Sequence, residues 1–459
     1  MSGFFGVISK QDCVQDVFYG TDYHSHLGTK RAGMVFIVPG KGFRRSIHTL
    51  ENSYFRTKFE EDLKDFKGNS GMGIISDTDP QPILFTSHLG RFAIVTVCRM
   101  INISELEEHI LNQKQHFTEN FGGNINPTEV VASLICEKDS FTEGIENVFE
   151  NVKGSCSLMI LTEDGIIAAR DKLGRTPVII GKKEGAYAIA SESCSFPNTG
   201  SEVIFRITAE GYTQLRKPGD KMQICAFLWV YYGYPPSYYE GINVDECRYR
   251  CGAALAKRDS VQADFVCGIP DSGVGHAIGY GNEKGIPNKR AYSKYTATWP
   301  RSFLPAFQEQ RDLVARMKLI PNKAVIKGKK MIFIDDSIVR GTQLKDNTND
   351  MRKCGAKELH MRIACPPLLY PCDFLNFTQS RTPMELAARR AVKELGGDDS
   401  ELKEYSNPDS EKYGKMVGKI AENLALDSLL YQRLDDLITA IGLPKEQLCT
   451  HCWDGTSYF

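Results

Sequence analysis

Net charge is almost missing from this chain of 459 residues: 56 lysines and arginines stand against 57 aspartates and glutamates, a formal charge of -1 at pH 7. That balance gives no global field to draw the molecule onto nucleic acid or an acidic membrane, so neither is an expected partner and any polyanion contact must be local. Long apolar runs are missing too. Nothing approaches the roughly 18 residues of a membrane-spanning helix, and the start, Met1-Ser2-Gly3-Phe4-Phe5-Gly6-Val7, lacks the basic flank of a secretory signal, so a cytoplasmic protein is expected. Internal repeats and low-complexity tracts are absent. Hydrophobic content of 42% excludes a disordered or fibrous chain and can fill more than one core over roughly three domains of about 150 residues. Cysteine, by contrast, is plentiful at 14. Without secretion, that number argues against a disulfide framework and leaves buried small residues, metal ligands or nucleophiles.

Up to about residue 220, short runs rich in Val, Ile and Phe (34–38, 92–97, 157–161, 178–181 and 203–207) alternate with turn signals, which predicts a sheet-rich domain. The segment Trp229-Val-Tyr-Tyr-Gly-Tyr-Pro-Pro-Ser-Tyr-Tyr239 breaks the pattern and places a junction near 225–240. Beyond it, a helix over 247–257, strands over 263–269, 330–334 and 358–363, and a helix over 343–354 alternate as a parallel α/β sheet does. From about 380 the pattern predicts helices over 383–395, 415–423 and 427–441, with a mobile charged loop near 396–412.

The most informative run is Met331-Ile-Phe-Ile-Asp335-Asp336-Ser337-Ile338-Val339-Arg340-Gly341-Thr342. A buried strand ends in two carboxylates and passes through a small polar turn into a helix. Backbone N–H groups of such a turn and of the helix N-terminus can wrap a phosphate, with the Ser337 and Thr342 hydroxyls adding donors. The paired acids suit a ribose diol and hydrated Mg2+. A capped turn with solvated acids is the plainer alternative for an Asp-Asp pair alone.

Residues 335–342 resemble the phosphoribosyl diphosphate (PRPP) signature of type I phosphoribosyltransferases, in the form carried by the glutamine PRPP amidotransferase family, and the likeness extends over almost the whole chain. Gly268-Ile269-Pro270-Asp271-Ser272-Gly273 resembles that family's diphosphate-binding loop, and Asp427-Ser428-Leu429 its late helical motif. The resemblance implies that Asp335 and Asp336 face the ribose hydroxyls and Mg2+. Residues Ser337, Ile338, Val339, Arg340, Gly341 and Thr342 would hold the 5'-phosphate, and Pro270, Asp271, Ser272 and Gly273 the diphosphate. The run Lys294-Tyr-Thr-Ala-Thr-Trp299-Pro-Arg301 is similar to the family's closing loop, with an altered start and one added residue; Lys294 and Arg301 are implied diphosphate contacts. Arg311 and Lys318 match basic family positions, although solvated surface is an equal reading for each. Tyr295, Trp299 and the unusual Val274-Gly275-His276 favour a reshaped acceptor pocket.

The amino-terminal half departs from the family. There an N-terminal cysteine serves as glutaminase nucleophile, whereas this chain has Ser2. Serine is a nucleophile in other N-terminal-nucleophile (Ntn) hydrolases, so the stronger signs are collective. His26-Leu27-Gly28-Thr29 replaces His-Arg-Gly-Gln, and Ile75-Ser76-Asp77-Thr78 replaces Arg-Tyr-Ser-Thr. Val97-Cys98 stands where an Asn-Gly pair forms the oxyanion hole, and Pro127 where an acid receives the substrate amine. Glycines 3, 6 and 33, Asp171-Lys-Leu-Gly174-Arg-Thr-Pro177 and Ala190-Ser191-Glu192-Ser193 persist, so a folded but degenerate glutaminase domain is expected.

Cys449-Thr-His-Cys452 is a CxxC, by itself a redox pair, a zinc half-site or chance. Iron-sulfur members of the family hold a [4Fe-4S] cluster through cysteines at corresponding places, so the resemblance implies ligation by Cys225, Cys372, Cys449 and Cys452, with zinc as the competitor. The other ten cysteines are taken as ordinary buried residues, and His451 as a spacer.

The expected fold is α/β: a degenerate Ntn-hydrolase-like αββα sandwich over 1–230, a type I phosphoribosyltransferase parallel-sheet domain over 231–385, and a helical C-terminal segment over 386–459. The expected activity is Mg2+-dependent transfer of phosphoribosyl from PRPP to a nitrogen acceptor other than glutamine nitrogen, a heterocyclic base or small amine. An ammonia-dependent enzyme and a non-catalytic PRPP sensor are the alternatives. By analogy the chain forms a dimer or tetramer.

Overall fold

The computed structural model describes residues 2–51, 53–195, 205–217, 219, 221–294, 319–375 and 382–456. In the amino-terminal half, one six-stranded antiparallel sheet runs in the order Ile179–Lys183, Ala186–Ala190, Gly3–Ser9, Ser70–Ser76, Arg31–Val38, Gly42–Thr49. A second runs Tyr212–Gln214, Phe205–Ile207, Gly165–Ala169, Gly154–Thr162, Gly90–Met100, Ile83–Ser87. Successive side chains point to opposite faces. Phe4 therefore enters the core between the sheets with Val35, Met72, Val95 and Met159, while Phe5 turns outward against Val17 and Phe18 of the helix Val14–Asp22. Helices Pro127–Ile135 and Phe141–Asn151 cover the second sheet through Val130, Leu134, Ile145 and Val148. Two helical layers and two buried sheets make the expected αββα sandwich.

The Tyr/Pro-rich junction contains a π-helical turn, Leu228–Tyr232. After it come four parallel strands in the order Phe265–Gly268, Lys330–Asp335, Glu358–Ile363, Ser428–Tyr431. Parallel neighbours need long crossovers, and helices Val244–Arg258, Gly273–Lys284 and Thr342–Lys353 pack around the sheet. No helix among the described residues is long and apolar enough to cross a membrane.

Two details of the carboxyl-terminal reading differ. Ser428–Tyr431 is the fourth strand of the sheet, not helix, and only Leu434–Ile441 is helical. The charged stretch near 396–412 is structured: a 3-10 turn, Asp399–Glu401, leads into the helix Leu402–Ser406, whose Leu402 and Tyr405 are buried in the core of the carboxyl-terminal half. A two-stranded parallel ladder also pairs Ile224 with Leu448 and Cys225 with Cys449.

Candidate active site and cysteine cage

Asp335 ends the second strand of the parallel sheet, at the carboxyl edge where such sheets place their ligands. Its Oδ1 accepts the backbone N–H of Asp336 at 2.9 Å. Asp336 is buried and accepts hydroxyl hydrogen bonds from Ser337 on one oxygen and from Ser272 on the other. The loop before Gly273 is thereby tied to the acidic pair; its Pro270–Asp271 peptide is cis. Gly273 is required by contact: a Cβ there would stand 2.3 Å from the Ile334 carbonyl oxygen. On the other side Gly341, at φ 74°, takes the left-handed turn that starts the helix Thr342–Lys353. Two helix N-termini, at Gly273 and Thr342, thus meet around one pair of carboxylates, a geometry that can bind a phosphate on each side of a cation site.

Burial and the neighbouring Asp336 carboxylate push the Asp335 carboxyl well above the ordinary aspartate range. Burial also raises Asp336, opposed by the hydroxyls of Ser272 and Ser337. Two carboxylates this close resist joint ionisation unless a cation joins them. Lys294 forms an ion pair with Asp271. Both line a cavity of about 530 Å³ together with Pro270, Val274, Arg290 and Tyr292. Arg301, Lys318, Arg311, Tyr295 and Trp299 lie outside the described residues.

At the amino terminus the Ser2 hydroxyl bonds Ser76 Oγ at 3.3 Å, and Ser76 in turn bonds Thr78 at 3.1 Å. Asp77 is engaged by the Thr29 backbone N–H at 2.6 Å. His26 pairs with buried Glu192 at 3.0 Å. Val97 is buried between the sheets, and Cys98 lies directly across from Cys156 on the next strand. Pro127 opens its helix at a position capped by the Asn126 side chain, which accepts from Thr128 N at 2.9 Å. At these positions the side chains serve packing, a helix cap and mutual hydroxyl bonds.

The four expected cluster cysteines come from three segments and converge where the two halves meet. Cys225 and Cys449 face each other on the parallel ladder, and Cys372 shares a hydrogen bond with Cys452. That bond, helped by backbone N–H groups of Phe374 and Leu375, lowers the Cys372 thiol to about 6, and burial raises Cys449 to about 11. His451 acts as a spacer with an anchoring job, bonding the carbonyls of Pro371 at 3.1 Å and Thr456 at 3.0 Å. Among the described residues no three His, Cys, Asp or Glu side chains gather around a single point. Of the ten remaining cysteines, Cys13, Cys156, Cys247, Cys251, Cys267 and Cys365 are buried as expected, whereas Cys98, Cys136, Cys194 and Cys354 are half-exposed.

Comparison with known proteins decides the ancestry. An amidophosphoribosyltransferase of Methanocaldococcus jannaschii is 30% identical over 99% of this chain and 97% of its own length. The chain belongs to the amidophosphoribosyltransferase family. Another member, from Bacillus subtilis, is 30% identical over 86% of the chain and 85% of its own. A family profile described as a glutamine amidotransferase domain matches residues 70–198. The solved glutamine PRPP amidotransferase of Bacillus subtilis, in complex with ADP and GMP, superposes with a TM-score of 0.83, 28% identity, and coverage of 99% of this chain and 96% of that one.

Within this amidophosphoribosyltransferase fold, the residues singled out from sequence at 270–273, 294 and 335–342 cluster at one sheet edge. His276 does not join them: it is fully buried and its Nε2 faces the Val230 carbonyl at 3.2 Å, so it shapes the interior rather than an acceptor face. Sequence reasoning missed Arg248. The signal available was a basic residue on the core-facing side of a helix, since Val244, Cys247 and Cys251 are buried with it.

Proposed function

We propose that the chain transfers phosphoribosyl from PRPP, releasing diphosphate, to a nitrogen nucleophile not drawn from glutamine: a heterocyclic base or small amine. The observation that carries this reading is the acidic pair Asp335–Asp336 set between two helix N-termini at the edge of the parallel sheet. The proposed division of labour is a degenerate amidotransferase-like domain over 1–230, a transferase domain over 231–385 and a C-terminal segment over 386–459. Assembly as a dimer or tetramer is part of the proposal by analogy.

Departure of diphosphate leaves positive character at ribose C1 and negative charge on the leaving group. Mg2+ held by Asp335 and Asp336 would neutralise part of that negative charge. The turn Ser337–Thr342 would bind the 5'-phosphate through backbone amides and hydroxyls, fixing C1 in line with the acceptor. Pro270–Gly273 would receive the diphosphate at the other helix start, with Lys294 adding a positive charge; Arg301 and Lys318 complete the proposed set. No protein nucleophile takes part. Retirement of the glutaminase is supported by Val97 and Cys98 facing packing and a neighbouring thiol, and by Pro127 serving as a helix start.

Four thiols from three segments fit an iron-sulfur centre as a donor set. In a four-iron cube each thiolate meets its own iron, so the sulfurs stand wider apart than four around one zinc ion. The [4Fe-4S] cluster is the group proposed for Cys225, Cys372, Cys449 and Cys452, and iron and sulfide content separates it from zinc. Its contribution when bound would be structural, tying the ladder 224–225/448–449 to the Cys372 loop.

Diphosphate release measured with candidate acceptors tests the transfer. Release with a heterocycle or small amine, and none with glutamine, is the expected result. Release with ammonium alone would make the chain an ammonia-dependent amidophosphoribosyltransferase, and none with any acceptor would make it a PRPP sensor. Glutamine-driven release through Ser2 would overturn the retired-glutaminase reading.

A further inference from the structure

The edge strand Gly42–Thr49 of the first sheet and the segment 62–67 enclose a cleft of about 730 Å³. No residue of the acidic pair, the diphosphate loop or the thiol quartet lines it. Side chains alternate along a strand, so Phe43 enters the core between the sheets, while Arg44, directly opposite Phe36 in the ladder, shares that residue's outward face with Ser46 and His48. There Phe36 packs on Phe66 with 4.7 Å between ring centres, and Phe59 meets the His48 ring edge-on at the same distance. These rings hold the segment 62–67 against the strand. The hairpin tip is equally fixed: Gly40 and Gly42, at φ 72° and 69°, take left-handed turns on either side of Lys41.

Five cations line this cleft, and two of them are already committed. Arg45 pairs with Glu119 at 3.1 Å and donates to the Pro82 carbonyl at 3.0 Å, and Lys64 pairs with Glu61 at 2.6 Å. Lys41, Arg44 and Lys67 are exposed, and among the described residues their side chains have neither a hydrogen bond nor an ion pair. Two acids, Asp62 and Asp65, share the lining. Asp62 Oδ2 accepts the Ser46 hydroxyl and lies 2.6 Å from His48 Nε2, so its charge is largely met within the wall. Asp65 is left to oppose three cations. In a chain whose total charge is -1, that excess is local, and concave walls of low dielectric concentrate its field on whatever enters.

We propose that this cleft binds a compact polyphosphate anion, held by Lys41, Arg44 and Lys67. Its volume is that of a small-molecule site. A planar guanidinium fork matches a tetrahedral oxyanion, and two ammonium groups add point charges beside it, a set suited to a chain of two or three phosphates. Free polyphosphate and the phosphate tail of a nucleotide share that chemistry. The proposal goes beyond the PRPP reading above and does not depend on it.

The test is calorimetric titration of the full-length, anaerobically purified chain with inorganic tripolyphosphate, in magnesium-free buffer at fixed ionic strength. Wild type should show a saturable site. Lys41→Ala, Arg44→Ala and Lys67→Ala combined should weaken it about thirtyfold, the sum of three exposed charge contacts of ordinary strength. Lys257→Ala, Lys327→Ala and Lys403→Ala combined remove the same charge from exposed positions elsewhere and should leave the affinity unchanged. Equal weakening by both triple variants would reduce the effect to net charge and overturn the proposal. So would full retention of binding by the cleft variant, which places the anion elsewhere, or no saturable binding by the wild type. Titration with ATP separates the sources: equal affinity supports a free polyphosphate, and tighter binding supports a nucleotide. Should the cleft variant not fold, hydrogen exchange in the wild type decides: amides of 40–46 and 62–67 should slow with tripolyphosphate, and unchanged exchange would refute the site. PRPP binding in magnesium buffer should be the same in the cleft variant and the wild type, so its absence from both would remove the transferase reading and leave this one standing.

Discussion

Asp335→Asn is expected to cut PRPP-dependent diphosphate release by about a hundredfold or more while making the magnesium-free protein melt higher than wild type. The activity loss follows from removing one of the two charges proposed to face Mg2+ and the ribose. The stability gain follows from the Asp335 carboxyl lying well above its ordinary range in the fold, through burial and the charge of Asp336. Such a group binds its proton more tightly folded than unfolded. Its stabilising contribution is complete below the unfolded value and is lost as pH rises through the folded value. Near neutral pH the wild type therefore carries a penalty that asparagine avoids, about 1 kcal/mol on the scale of typical activity–stability trade-offs. Asparagine Oδ1 can still accept the Asp336 backbone N–H now received at 2.9 Å, so the turn survives. Calorimetric melting across pH checks the sign: the gap should close toward about pH 4, where ordinary carboxyls protonate, and should shrink when magnesium and PRPP are present. A variant that melts lower at every pH would refute the argument. Asp336→Asn should behave differently, because both Asp336 oxygens accept hydroxyls and an amide NH2 cannot.

Cys372→Ser is the second large effect. Cys372 sits in a loop joined to the terminal CxxC through Cys452, beside the ladder that carries Cys225 and Cys449. If the cage holds a cluster, losing one ligand removes a cross-link among three distant segments. The expected cost is about 4 kcal/mol or more, a fall in melting temperature on the order of 10 °C. Oxygen exposure or a chelator should do the same to the wild type. Iron and sulfide analysis separates the metals: about four irons with inorganic sulfide per chain supports the cluster, whereas one zinc supports the closed tetrahedral alternative. A metal-free wild type melting with Cys372→Ser at the undisturbed temperature would remove the structural role.

Residues 331–342 were legible because strand, acids and turn follow one another locally, and local chemistry is what a sequence displays. The strand Ser428–Tyr431 was not. Four residues between two amphipathic stretches read equally as helix, and only pairing with Glu358–Ile363, far away in sequence, selects the strand. The charged run near 396–412 misled through composition: its polar majority hid Leu402 and Tyr405, two anchors sufficient to dock it. In the glutaminase half, lost side chains could be read position by position, whereas the uses those positions now serve, such as Cys98 opposite Cys156, needed the sheet register. The contacts of Arg248 needed the tertiary structure for the same reason. Nothing in the spacing of its neighbours announces which backbone it will grip.

The parallel ladder of Ile224–Cys225 with Leu448–Cys449 also constrains biogenesis. The two strands frame the whole transferase half, so this seam closes only after translation has delivered Cys449 beyond the ribosome tunnel. The sandwich in front can fold during synthesis, but the thiol quartet is assembled last. A nascent chain stalled before residue 448 should present an exposed Cys225 and an unsealed junction.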